Sequence, residues 1–357
     1  MSQWSDGFGR LAVRSAQGLL VVAFAALLIA VLVRLRLVVV PVLISTLLAA
    51  AISPMVRVLH RLGLPSALAV WAALLSGLLA IVAVVGIVVA RVRSQWDDLR
   101  ARAEEGLSEL QRFLGSGPLP IDEGQLDQAR TALVEALQGE QFRSGAIAGA
   151  FAAVEAVAGV FLGAVILFFL LKDGERIWEF LLRPLSGNRA RRMRLVGERC
   201  VDVLGSYVRG TAVIALVDSV IIGIALVVLG VPLALPLALV VFVGAFIPLV
   251  GASVAGALAA LVALVANGPV TALIVLGVVI AVNQIEGDVL APVVLGRALS
   301  LHPLAILLAL TVGTILAGII GALLSVPLAA VAWTAVTAWN EDRAASTAAL
   351  RPAGPAG

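Results

Sequence analysis

An acidic residue stands in the middle of a long apolar stretch of this sequence. The residue is Asp218, in GTAVIALVDSVIIGIALVVLG, and it follows Arg209 by nine positions. In a helix nine positions correspond to a rise of about 13.5 Å, so Asp218 would lie near the middle of a bilayer if Arg209 lies at its surface. A carboxylate at that depth is costly and by default faces a bundle interior or a water-filled cavity. Asp218 could therefore bind a cation or carry a proton, or it could be a structural residue that joins two helices.

A second polar group follows another apolar run. Asn283 and Glu286, in NQIEGDVLAP, are spaced i and i+3 and project from one helix face. Gly287 and Pro292 are expected to weaken or end that helix. Broken membrane helices offer carbonyls and half-helix ends as ligands, and unwound backbone is tolerated only where it lines a cavity. The alternative is a kinked, glycine-packed helix with no substrate nearby.

Two further stretches combine glycine with proline. In FIPLVGASVAG (246–256), Pro248 removes a backbone donor, and Gly251 with other small residues permits close approach of another helix. The stretch GTILAGIIGALLSVP (313–327) is expected to serve helix packing, which is the usual role of glycine-rich faces.

The sequence lacks the signatures of soluble enzymes. It contains no G-x-x-x-x-G-K-[ST] phosphate loop, no G-x-S-x-G elbow, no H-E-x-x-H and no C-x-x-C. The two histidines, His60 and His302, are far apart, and Cys200 is the only cysteine. We therefore expect no enzyme activity, no metal centre, no cofactor and no internal disulfide.

The amino-acid composition indicates whether this chain lies in water or in a lipid bilayer. Hydrophobic residues make up 61% of the 357 positions, charged residues only 13%, and the mean hydropathy is +1.10, whereas soluble domains are roughly one quarter charged. The chain is therefore expected to be an integral membrane protein whose partner is the lipid bilayer. Its pI of about 9.9 is explained by arginines at the ends of the apolar runs, so we expect no nucleic acid partner.

The apolar runs predict an all-α polytopic protein with about eight membrane-spanning helices. Two of the runs, 233–266 and 303–339, are too long for one span, so we expect broken or re-entrant segments in the C-terminal half. Pro236, Pro248 and Gly251 are candidate breaks in the first of them. The candidate breaks in the second are Gly313, Gly318, Gly321 and Pro327. The eight runs are 18–33, 37–56, 66–90, 146–171, 211–230, 233–266, 269–290 and 303–339.

Basic residues predict the orientation. Residues 172–210 hold nine Lys and Arg, a higher density than the seven Arg of residues 91–145, so the former are placed in the cytoplasm. Counting spans from there puts 91–145 outside and both termini in the cytoplasm. The three- and four-residue spacing of leucines in 91–145 predicts amphipathic helices.

These features divide the chain into six predicted regions. They are an N-terminal three-span region (1–90), an extracytoplasmic helical insert (91–145), a fourth span (146–171), a basic cytoplasmic linker (172–210), a C-terminal transport core (211–339) and a disordered cytoplasmic tail (340–357).

Five segments between residues 168 and 331 occur together in a recognisable order and spacing. They are FFLLKDGERI (168–177), SYVRGTAVIALVDSVIIGIALVVLGVP (206–232), FIPLVG (246–251), NQIEGDVLAPVVLGRALSLHPLAILLALTVG (283–313) and GALLSVPLAAV (321–331). Together they resemble the autoinducer-2 exporter (AI-2E) family of bacterial permease-like proteins. Ala252 and Ala291 stand where members of that family often carry a proline and an acidic residue.

The resemblance implies a multi-span protein of the bacterial inner membrane that assembles as a homo-oligomer. Members of the family are linked to export of a quorum-sensing signal or to sodium/proton antiport. Asp218 and Glu286 stand where the family pattern expects them. So do the candidate helix-break or gating residues, which are Pro248, Gly251, Pro292, Gly296, His302 and Pro303.

The leading hypothesis is a secondary transporter or exporter of a small polar solute. Asp218, Asn283, Glu286 and Arg209 are the candidates for its pathway or ion site. One substrate alternative is exchange of Na+ or Li+ for H+, which the intramembrane carboxylates favour. An alternative of another class is a non-transporting membrane scaffold that binds a partner through 91–145.

Overall fold

The structure is a computed structural model that describes residues 7–116, 140–248, 250–294 and 301–349. Every regular element within these ranges is helical, which confirms the all-α prediction. A π-helical turn spans Glu286–Leu290. The helices are α1 (Gly7–Arg34), α2 (Arg36–Arg61), α3 (Ser66–Ser116), α4 (Glu140–Leu182), α5 (Gly187–Val228), α6 (Ala234–Gly244), α7 (Gly251–Asn267), α8 (Pro269–Ile285), α9 (Ala291–Val294) and α10 (Pro303–Ala349).

Five segments within the described ranges are long and apolar enough to cross a membrane. They confirm a polytopic membrane protein, because each exceeds the ~20 residues that a span requires, although the last of them changes direction at Ala317 and Gly318. The segments are Arg36–Arg61, Ser66–Ser94, Gly187–Val228, Pro269–Val294 and Pro303–Glu341.

The first of the two long runs folds as a helical hairpin. Its arms are α6 and α7, and the backbones of Gly244 and Gly251 meet so closely that a Cβ on either would overlap the other's carbonyl group. Hydrogen bonds at 2.8–2.9 Å, including Ile247 N–H to the Gly244 carbonyl, close the intervening turn. At 11 residues, α6 rises only about 16 Å, too little to cross about 30 Å of hydrocarbon.

The second long run also reverses direction, although it forms nearly continuous helix. Ala317 and Gly318 of α10 have non-helical backbone angles, and Gly318 has a φ of +59°, a conformation that favours glycine. Gly313 and Gly321 contact each other across this point. Eight residues of continuous helix would separate them by about 12 Å. The stretch predicted to serve packing therefore packs against itself and contains the turn, whereas Pro327 continues the helix.

Small residues bring α2 close to α4. Gly159 and Gly163, one helical turn apart, face Pro41 and Ser45 of α2, and the Ser45 hydroxyl donates a 2.8 Å hydrogen bond to the Gly163 carbonyl. This is the small-residue contact that allows membrane helices to approach closely.

Helix α5 lies at the centre of the C-terminal half, where it contacts α2, α6, α8, α9 and α10. Its residues Ile222 and Leu226 are almost completely buried in an apolar cluster. The other buried members are Val231, Leu237, Val241, Ala255, Ala259, Ala263, Val275, Val279 and Val282.

The predicted regions follow these helices only in part. Helix α3 runs through the 90/91 boundary to Ser116, and α4 contains the predicted fourth span. Residues 172–210 comprise the end of α4, a turn and the first half of α5. Helix α10 extends to Ala349, within the predicted tail. Residues 117–139 and 350–357, which belong to the predicted insert and tail, lie outside the described residues.

Candidate functional site

Asp218 lies inside the helix bundle with a relative exposure of 0%. It is on the α5 face that continues into the apolar cluster, since Ile222 follows it by one helical turn. Among the described residues, neither carboxylate oxygen of Asp218 has a hydrogen-bond partner. Buried polar groups are normally hydrogen-bonded and buried charges are normally paired, so these orphaned oxygens require an explanation.

Helix α8 brings the second polar group to the same place. Val279 and Val282 of α8 pack in the cluster that contains Ile222, and Glu286 follows Val282 by one turn. Glu286 is half-buried and close enough to Asp218 for their charges to interact. The structure thus unites two carboxyl groups that lie 68 positions apart in the sequence.

Asn283 adds a neutral oxygen to this part of α8. Its Oδ1 atom is buried and has no hydrogen-bond partner among the described residues. Amide and carboxylate oxygens are ligands for hard cations, and a carboxyl group can alternatively hold a proton. Buried oxygens on facing helices can therefore take up a cation or a proton that would satisfy them.

The helix that carries Glu286 widens at that residue. The Ala291 N–H donates to the Glu286 carbonyl, a π-type bond one residue longer than in an α-helix. Pro292 has no N–H and cannot donate to the Asp288 carbonyl, which explains why the α-helical pattern is not kept. Turns of this kind are frequent at functional sites.

Arg209 is placed elsewhere, against α2. Its Nη1 atom donates to the carbonyl oxygen of Ala50 at 3.2 Å. Pro54 lacks the N–H that would bond this carbonyl within the helix, so Arg209 and the Ser53 hydroxyl, which also donates to it at 3.2 Å, replace the missing donor. Gly205 makes room, since a Cβ there would lie 2.6 Å from the Ala50 oxygen. This geometry gives Arg209 a role in joining α5 to α2.

The candidate helix-break residues occupy several places. Pro248 is in the turn of the α6–α7 hairpin, Gly251 begins α7, and Pro292 lies in α9. His302 and Pro303 are exposed at the start of α10, where His302 Nδ1 accepts a 3.2 Å hydrogen bond from the Leu304 N–H. Gly296 lies outside the described residues.

Two residues that are not among the predicted site residues lie on the Asp218 face of α5. Tyr207 and Thr211 are both buried, one helical turn apart. With Ala215 and Asp218 they follow the helical three- and four-residue spacing. That spacing of Tyr, Thr and Asp within an apolar run was the signal that could have identified them.

These features define a class of proteins: polytopic membrane transport proteins, in which broken helices and buried carboxyl groups lie inside the bundle. The chain belongs to the AI-2E transporter family, whose sequence model matches residues 19–341. It is therefore a multi-pass membrane transport protein of a bacterial family.

Curated relatives agree with this family. MT0215 of Mycobacterium tuberculosis (strain CDC 1551 / Oshkosh), named as a candidate transport protein, is 41% identical over 314 residues, which cover 87% of this chain and 86% of the relative. YrrI of Bacillus subtilis, named in the same way, is 34% identical over 54% of this chain and 56% of its own. The AI-2 transport protein TqsA of Escherichia coli K12 is 29% identical over 48% of this chain and 50% of its own.

Proposed function

We propose that this chain is a secondary transporter of the bacterial inner membrane that uses Asp218 to carry a proton or a monovalent cation. The observation that carries the proposal is the complete burial of a carboxyl group whose two oxygens lack hydrogen-bond partners among the described residues. An ionised, unpaired carboxylate is strongly disfavoured in such surroundings. The group is satisfied by a proton or by a cation, and alternation between the two is the elementary step of an exchanger.

Glu286 and Asn283 support this proposal. Glu286 interacts electrostatically with Asp218, and two negative charges close together attract a cation more strongly than one does. The buried Oδ1 atom of Asn283 offers a neutral ligand nearby. We infer that exchange of Na+ or Li+ for H+ is the activity that this group of oxygens supports best.

Transport assays in proteoliposomes test the proposal. Addition of Na+ or Li+ to vesicles with an imposed pH gradient should dissipate the gradient when the wild-type chain is present, and Asp218→Asn should reduce the response to background. Asp202→Asn is the matched control, because Asp202 lies on the same helix but is exposed. An undiminished response in Asp218→Asn would remove this carboxyl group from the mechanism.

Export of a small polar signal molecule is the second candidate cargo. It is supported by the family and by the name of TqsA, which describes transport of AI-2. In this case Asp218 would couple export to a proton or cation gradient. Efflux of the labelled signal from loaded vesicles that depends on Asp218, with no Na+ or Li+ response, would favour export over exchange.

The scaffold alternative makes the opposite prediction. Deletion of residues 91–145 would abolish the cellular phenotype, whereas Asp218→Asn and Glu286→Gln would leave it unchanged.

Assembly as a homo-oligomer and cytoplasmic placement of both termini stay predictions.

A further inference from the structure

A basic pocket lies where α4 ends and α5 begins, on a part of the chain that the transport proposal does not use. Its volume is about 560 Å³. Three of the four charged side chains that line it are arginines, Arg176, Arg183 and Arg194, and the fourth is Glu179. The rest of the lining is Phe180, Leu182, Leu185 and Ala190. The pocket therefore combines a net positive charge with an apolar wall.

The arginines are available to a ligand to different degrees. Arg194 has no ion-pair partner among the described residues. The Arg183 guanidinium lies over the Phe180 ring, 5.4 Å from its centroid, a contact that leaves its N–H groups free to donate. Arg176 contacts Asp173 at 3.4 Å, but its side chain is 85% exposed. Such exposed pairs are weak, so a phosphate can compete for this arginine.

The position of the pocket along α4 suits the membrane surface. Arg176 follows Leu171, the last residue of the predicted fourth span, by five positions, or about 7.5 Å of helix. The polar headgroup region extends about 5–7.5 Å beyond the hydrocarbon on each side, so Arg176 lies at the level of its outer part. Asp173 has non-helical backbone angles, so α4 changes direction as it leaves the span.

Beside the arginines the helix exposes large apolar side chains. Phe180 is 64% exposed and Leu181 is 58% exposed. A helix with Arg and exposed Phe and Leu side chains is typical of an amphipathic segment that lies in the membrane interface. The opposite side of this segment is fixed by Trp178, whose ring packs against the backbone of Gly197 in α5.

We propose that this pocket binds the phosphate headgroup of an anionic lipid, with Arg176, Arg183 and Arg194 contacting the phosphate and Phe180 contacting the acyl chain. A second copy of the chain is a poorer occupant, because a symmetric contact would bring arginines against arginines. Glu179 weakens the attraction for the lipid. The exposed side chains of Phe180 and Leu181 favour a lipid over a free phosphate ion, because only a lipid has an acyl chain that can contact them.

Lipid binding to the purified full chain in detergent tests the proposal, with native mass spectrometry to count bound molecules. We expect phosphatidylglycerol to bind more tightly than phosphatidylcholine at equal concentration. Replacement of the three pocket arginines by glutamine should weaken phosphatidylglycerol binding about tenfold or more. The matched control is the triple variant Arg57→Gln, Arg61→Gln, Arg189→Gln, which removes the same charge outside the pocket and should change binding about twofold or less.

Glu179→Gln provides a variant whose expected effect cannot arise from misfolding. Removal of the one negative charge in the pocket should strengthen phosphatidylglycerol binding, about fivefold. Inorganic phosphate and glycerol 3-phosphate should compete poorly because they lack acyl chains. Equal binding of both lipids by the wild type, equal losses in the two triple variants, or full displacement by millimolar phosphate would each overturn the lipid assignment. A change in oligomeric mass of the pocket variant with unchanged lipid binding would also overturn it and indicate an interface between copies.

Discussion

The two charged residues Arg209 and Asp218 of α5 differ in how far the sequence alone predicts their surroundings. The burial of Asp218 follows from its apolar neighbours in the chain, so it could be predicted. The partner of Arg209 could not, because it is the carbonyl of Ala50, 159 positions earlier. The proline that frees this carbonyl is a local signal, but nothing in the sequence indicates which distant donor will meet it.

Loss of the Arg209 donor should destabilise the protein. Arg209→Met removes the hydrogen bond to the Ala50 carbonyl but keeps an apolar side chain of similar length. We expect a loss of roughly 0.5–1.5 kcal/mol, the net value of one hydrogen bond, because the Ser53 hydroxyl still donates to this carbonyl. Thermal unfolding of the purified protein in detergent measures the change.

A double-mutant cycle identifies the cause. Pro54→Ala restores a helical N–H for the Ala50 carbonyl, so Arg209→Met should cost less in that background than in the wild type. Equal costs in the two backgrounds would show that Arg209 acts through some other contact.

Among the helices, the two hairpins could be predicted from the sequence only as breaks in long apolar runs. Length alone required runs 233–266 and 303–339 to be interrupted, and glycine and proline marked the places. Whether the chain kinks or reverses depends on whether the two arms pack against each other. Two glycine pairs provide that contact, Gly244 with Gly251 and Gly313 with Gly321. The sequence shows each glycine but not which other glycine it will contact.

The α6–α7 hairpin should be sensitive to one methyl group. A Cβ at Gly251 would overlap the Gly244 carbonyl, so Gly251→Ala should cost roughly 1–3 kcal/mol through overpacking and should impair transport. Gly277→Ala is the control, because a Cβ there meets no atom within 4 Å. It should be neutral or stabilise α8 by up to ~1 kcal/mol. Similar unfolding temperatures for the two variants would contradict the close contact of the arms.

At the scale of the whole molecule, α5 connects the transport core to the basic end of the chain. Its second half carries Asp218, whereas its first half packs along the end of α10. There Arg199 forms an ion pair with Glu341 at 2.6 Å, and the Arg192 guanidinium lies 5.7 Å from the Trp339 ring centroid. These segments belong to separate predicted regions, since no local pattern in the sequence shows that they pack together.

Trp339→Ala should weaken this packing. The side chain contacts Arg192 and lines a cavity of about 300 Å³ with Met193 and Val196. We expect a loss of about 1–3 kcal/mol from the cation–π contact and the apolar surface. Trp333→Ala, on the same helix and 47% exposed, should cost less. Thermal unfolding of both variants gives the comparison, and an equal or larger loss for Trp333→Ala would contradict the packing.

The separation of Asp218 from Glu286 also sets an order of events during biosynthesis. The 68 residues between them take roughly 3–14 s to translate at about 5–20 residues per second. Helix α5 therefore leaves the ribosome before α8 exists, and its carboxyl group first meets water or the insertion machinery. The enclosure around Asp218 is completed only when α8 arrives, which makes the docking of a late helix onto an earlier one the final step in building the site.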